Sequence, residues 1–114
     1  MFNVEEDLIK FLTEQGYTVF ADVPYERPQE FLTVERTGGS DINVALDNPT
    51  IAIQCWSTSR YNASEMALGV IETMEKYRGW SEKVTKCRQN TMYNFPDEKQ
   101  ARYQIIYDIT TYKK

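Results

Sequence analysis

The chain of 114 residues contains no histidine, two cysteines, five glycines and four prolines, and each scarcity closes off a class of chemistry. Without histidine there is no Ser-His-Asp or Cys-His machine, and the commonest general base near neutral pH is missing. Cys55 and Cys87 lie far apart with no CxxC pair, which removes zinc-finger and thioredoxin-like readings and leaves two buried free thiols as the expectation. The only glycine pair, Gly38-Gly39, is followed by Ser40-Asp41 and no Lys-Ser/Thr, so neither a phosphate-binding loop nor a dinucleotide fingerprint is present. Apolar runs are only a few residues long, well short of the roughly 20 needed to cross a bilayer. The first residues are acidic and amphipathic, unlike a signal peptide, so an intracellular, unprocessed chain is expected.

What remains is a soluble-domain composition, 41% hydrophobic and 26% charged, with an unusual 13% aromatic residues that include eight tyrosines. Lys and Arg total 13 against 17 Asp and Glu, and the net charge of -4 gives no general pull toward a phosphate backbone. The length fits one domain with one core that needs no disulfide or metal. No repeat, charge block or low-complexity segment marks a boundary within it.

Residues 3–15 carry Val4, Leu8, Phe11 and Leu12 at helical spacing. Asn3 is placed to cap that helix, Glu5, Glu6 and Asp7 sit where the helix dipole favours anions, and Gly16 supplies the stop. Residues 17–22 are expected to form a strand, ended by Pro24 and Pro28, and residues 31–36 the next one. Thr37-Gly38-Gly39-Ser40-Asp41 is the strongest turn signal and opens a segment, 38–48, that is either a long functional loop or an extended hairpin with a loose tip. Residues 50–56 alternate, with Ile51, Ile53 and Cys55 on one face and Ala52, Gln54 and Trp56 on the other.

A second helix is expected over residues 62–77, capped by Asn62 with Glu65, striped by Met66, Ala67, Val70, Ile71 and Met74, and ended near Gly79. Two strands, 83–93 and 102–112, complete the chain, the second placing Tyr103, Ile105, Tyr107 and Ile109 on one face. The order α-β-β-β-α-β-β predicts an α+β domain: two helices packed on one face of a mostly antiparallel sheet of about five strands.

Paired acids such as Asp41 with Asp47, or Glu35 with Asp108, could work as acid and base, but their spacing carries no signature and solvating charge is the plainer reading. The sheet face left bare by the helices is rich in Tyr, Thr, Gln and Trp, a composition suited to packing on another chain. Trp56, Tyr107 and Tyr112 are its aromatic candidates. For Trp56 the alternative, that it closes the end of its own core, weighs equally.

One arrangement goes further. Val-Pro-x-x-x-Pro from Val23 is followed by Phe-Leu-Thr-Val-Glu-Arg-Thr-Gly-Gly from Phe31. Then come Asp47-Asn48-Pro49, Ile-Ala-Ile-Gln-Cys-Trp ending at Trp56, Ser57-Thr58-Ser59-Arg60, and a helix containing Ala63, Met66, Ala67 and Val70. With the opening helix and Arg102 before Tyr103, this pattern resembles the tail terminator, or tail completion, proteins of long-tailed bacteriophages and prophages.

The resemblance implies a small α+β subunit of the virion tail, present in the host cytoplasm during assembly. It would build a ring with copies of itself, commonly a hexamer, that caps the tail tube protein and offers a docking surface to the head or neck connector. It implies no catalysis, cofactor, membrane or direct nucleic-acid contact. The residues expected at interfaces are Arg36, Gly38, Gly39, Ser40, Asp41, Asp47, Trp56 and Arg60, with the 38–48 segment facing the tube or the ring lumen and Arg36 and Arg60 pairing with acidic neighbours. A neck or head-completion protein of the same phage module is the nearest competitor, and a small ligand-binding or regulatory α+β domain comes from a different class, expected to show an apolar pocket with convergent polar groups.

Overall fold

Local signals set the first helix. In the computed structural model, which describes residues 1–114, α1 spans Val4–Glu14, and the extended Asn3 accepts the Glu6 N–H through Oδ1 at 3.2 Å. Gly16, at φ 99°, turns the chain out of the helix. The predicted strand over 17–22 shrinks to β1, Val19–Phe20, which pairs in parallel with Leu32 and Thr33. Pro24 and Pro28 cannot donate to a ladder, and residues 21–30 run between β1 and β2 as an irregular strap.

β2 (Phe31–Asp41) and β3 (Leu46–Ser57) are longer than their periodicity suggests. The ladder continues through the glycine pair to Asp41 opposite Asp47, with a register slip between Arg36 and Gly38. The turn therefore lies at residues 42–45, where Asn43 Oδ1 accepts from the Ala45 and Leu46 amides at 2.8 and 2.9 Å. Of the two readings left open for 38–48, the extended hairpin is the one observed.

α2 spans Arg60–Met74 and is capped by Ser59, not Asn62. Ser59 has the extended backbone a cap needs, and its Oγ accepts the Asn62 N–H at 3.1 Å, while the Asn62 side chain donates back to Thr58. The helix stops short of Tyr77, and a separate turn, α3 (Tyr77–Trp80), adds a third helix to the two expected. The cause is distant in sequence: buried Tyr77 donates its hydroxyl to Asp7 at 2.7 Å, Ser81 Oγ donates to the same carboxylate, and Phe11 meets the rings of Tyr77 and Trp80 at 5.2 and 5.3 Å. Burial pushes the Tyr77 phenol well up, so that it stays a donor.

β4 (Val84–Asn94) and β5 (Ala101–Tyr112) complete a five-stranded sheet in the order β1-β2-β3-β5-β4, antiparallel except at β1. The α+β class and the packing of the helices on the sheet stand as expected. Leu32 and Val34, Ile51, Ile53 and Cys55, and Ile105, Tyr107 and Ile109 present one face to Leu8, Phe11 and Leu12 of α1 and to Ala67, Val70 and Met74 of α2. Tyr107 is thus a core residue and drops out of the candidate surface.

Candidate assembly surface

On the face away from the helices, side chains at matched positions on neighbouring strands form one directed hydrogen-bond chain. Trp56 Nε1 donates to Thr33 Oγ1 at 3.0 Å, Thr33 to Gln54 Oε1 at 2.8 Å, Gln54 Nε2 to Gln104 Oε1 at 2.7 Å, and Gln104 Nε2 to the Tyr93 hydroxyl. The chain crosses β2, β3, β5 and β4, because Thr33 pairs with Gln54, Gln54 with Gln104, and Gln104 with Tyr93. Each amide has one orientation that satisfies both neighbours, so the face is polar yet ordered.

At one end of this face the aromatic residues stack. Phe31 and Trp56 are nearly parallel, 6° apart with centroids at 5.4 Å, and the guanidiniums of Arg102 and Arg27 cover the indole at 4.7 and 5.2 Å. Arg102 also lies 4.3 Å from the Phe95 ring and donates to the Phe95 carbonyl, while Arg27 pairs with Asp97 at 3.1 Å. The strap and the β4–β5 turn are clamped together over Trp56. The indole is 1% exposed, which corrects its assignment as an interface residue: it closes the end of its own subunit.

The β2–β3 hairpin gathers most of the other expected interface residues. Asp47 is buried and accepts from Arg36 Nη1 at 2.7 Å and Nη2 at 3.0 Å, and from the Asn48 amide at 2.9 Å. The Arg36 Nε donates to the Gly38 carbonyl at 3.0 Å. The bidentate bond with Arg36 holds the Asp47 carboxyl below the usual range, against a smaller opposing effect of burial, and the same bond raises Arg36. Asp47 is therefore an internal anchor at the bulge, not a contact for another chain. Asp41 is exposed and meets Lys113 at 3.3 Å, and Gly38, Gly39 and Ser40 are exposed beside it. Arg60 opens α2, exposed and without an ion pair, so the acidic neighbour expected for it is not found within the subunit.

The two glycines differ. Gly39 sits at φ 106°, and a β-carbon there would overlap the Asn48 carbonyl oxygen and come within 2.7 Å of Pro49 Cα, whereas Gly38 faces open space. Gly39→Ala is expected to cost about 2 kcal/mol and Gly38→Ala to stay within about 0.5 kcal/mol, both read from urea unfolding midpoints. Equal effects at the two positions would count against this backbone requirement.

The proposed acid pairs do not form reactive dyads. Asp41 and Asp47 are opposite in register but each is held by its own cation, and Glu35 and Asp108 sit on strands separated by β3. No group of three or more Cys, Asp or Glu side chains converges to hold a metal ion. A cleft of about 460 Å³ opens beside β1 between Glu30, Phe31, Asn62 and Met66 and is mixed in character. Both thiols lie in the core layer, Cys55 pushed up strongly and Cys87 to about 11 by burial. No family model matches the chain, and a search of curated proteins finds no match. No helix is long and apolar enough to cross a membrane.

Composition alone had indicated the polar character of the outer face. The hydrogen-bond chain is spelled there by Thr33, Gln54 and Gln104 at alternate strand positions, but the register that joins them is not local information.

Proposed function

We propose that the chain is a virion assembly subunit of the tail terminator type, which forms a ring on the end of the tail tube and supports head joining. The observation that carries the reading is the β2–β3 hairpin. From Glu35 onward β2 is exposed on both faces, and the tip presents Ile42 at 50% and Val44 at 94% exposure while its backbone is fixed by the Asn43 turn and by the Ile42 and Asn43 amides on Leu46.

An ordered arm with apolar residues at its tip costs stability in an isolated subunit and gains it when the tip is buried on a neighbour. The arm also contributes to a molecule 42 Å long but only 25 and 24 Å across. On the polar sheet face Thr33 and Gln104 are buried, and Gln54 and Tyr93 are the members of the hydrogen-bond chain that reach the surface, held with little conformational entropy left to lose. The order of proline, glycine-glycine and strand-ending tryptophan motifs and the α+β architecture are consistent with the same reading.

Particles assembled without this protein test it. Electron microscopy of such lysates is expected to show filled heads and unjoined tails, with joining restored by adding the purified chain. Normally joined virions in its absence would overturn the proposal. Tails of normal termination that still fail to join heads would point to a neck protein.

A further inference from the structure

Both margins of the sheet are open. β4 is an outer strand of 11 residues, and none of the backbone hydrogen bonds outside the helices and ladders engages any residue between Val84 and Asn94. At the opposite margin β1 covers only Leu32 and Thr33, so from Glu35 to Asp41 the outer edge of β2 has no neighbour either. Unpaired strand edges of this length are templates for another strand, and single-chain domains usually shorten or block them.

Their charges differ in a way that selects a partner. β4 carries Lys86 and Arg88 and no acid, both exposed and outside any ion pair. On the free length of β2, Arg36 is committed to Asp47 and Asp41 to Lys113, which leaves Glu35. Lys86 is in register with Thr110, Arg88 with Asp108, and Glu35 with Ala52 and through it Ile106, so all three charges lie on the sheet face away from the helices.

The geometry points to a second copy of this chain as the occupant: the β4 edge of one subunit pairs with the distal β2 edge of the next. The inference rests on the reading of the protein as a self-assembling subunit and gives the contact that joins its copies. Because β2/β3, β3/β5 and β5/β4 are each antiparallel, β2 and β4 run in opposite directions. A copy displaced sideways along the sheet therefore presents its β2 antiparallel to β4 and continues the ladder without inversion.

The contact is heterologous, so it propagates, and a rotation between successive copies that closes on itself gives a ring in which no edge is left open. A two-fold β4–β4 pair would instead set cationic strands side by side with no acid between them, a like-charge arrangement that destabilises.

Light scattering on the full chain, across a concentration series at low and high salt, tests the contact with two variants. One is Lys86→Glu with Arg88→Gln, which spares Asp108 a like-charged neighbour; the other is Glu35→Lys. The wild type is expected to form a discrete closed oligomer. Each variant alone should raise the concentration for half-assembly on the order of tenfold, an effect that weakens with salt. Mixed in equal amounts, the two variants should assemble again, because every β4–β2 contact in an alternating ring then joins opposite charges. Unchanged circular dichroism and melting of each variant establishes that the fold is intact. Oligomers indifferent to both reversals overturn the edge contact while leaving the assembly function standing. A wild type that is monomeric throughout also overturns it, and the joining of heads to tails by added protein judges the functional reading separately.

Discussion

Replacing Trp56 by alanine is expected to lower the unfolding free energy by about 3–5 kcal/mol, with the melting midpoint falling by more than 10 °C. Trp56 is the largest fully buried side chain, and its loss removes more than volume. Phe31 loses its stacked partner, Arg102 and Arg27 lose the ring they cover, and Thr33 loses the donor that begins the hydrogen-bond chain across the sheet. Because Arg27 is tied to Asp97 and the Gln100 side chain donates to the Gln29 carbonyl, the strap and the β4–β5 turn lose their shared platform.

Trp56→Phe separates these contributions. It keeps a ring between Phe31 and the guanidiniums but cannot donate to Thr33, whose own hydrogen remains on Gln54; about 1–2 kcal/mol is expected. Thermal melts followed by circular dichroism measure both, with the remaining Trp80 reporting by fluorescence on the α1–α3 end. A loss under about 1 kcal/mol for Trp56→Ala would return the indole to the surface and reopen its candidacy as a contact residue.

Trp56 also shows where sequence reasoning stops. Its position on the strand face was legible from alternation, but whether that face is wet or covered depends on Arg27 and Arg102, which arrive from distant parts of the chain. The first helix was legible nearly to the residue because its cap, acidic first turn, apolar stripe and Gly16 are all local. The inward faces of β3 and β5 followed from period two for the same reason.

The glycine pair misled because a positive φ serves a close strand approach as well as a turn, and the register slip lies before the pair, between Arg36 and Gly38. Gly39 supplies the positive φ, but spends it on a close approach to Pro49 and Thr50 within the ladder. Ser59 and Asn62 are both good capping residues, and only the extended backbone at Ser59 decides between them. The short helix at Tyr77 follows from a hydrogen bond to Asp7, a partner that no local window contains.

The second large effect is expected at Asp47. Asp47→Asn should cost about 2–3 kcal/mol at neutral pH: the buried carboxylate is replaced by a neutral group that also brings an unwanted N–H toward Arg36, while the guanidinium, with a third of its side chain exposed, recovers part of the loss by hydration. The pH dependence has a definite sign. The carboxyl is held below its unfolded value of about 3.9, so the native state binds fewer protons than the unfolded chain on acidification. Its contribution is therefore complete above that unfolded value and disappears as pH falls through the lower folded one. Arg36, raised by the same bond, stays charged throughout this window. The wild type and Asp47→Asn should differ in urea midpoint by a constant amount from pH 7 to about pH 5 and begin to converge as pH falls below about 3.9. A gap that widens on acidification, or none at pH 7, would show that the pair does not hold the bulge. Since Arg36 and Asp47 lie where the hairpin leaves the core, the variant should also expose the amides of the hairpin tip to faster hydrogen exchange while those of Ile53 and Ile105 stay protected. The arm would then be loosened before the domain melts, and assembly should weaken in a protein whose core is still folded.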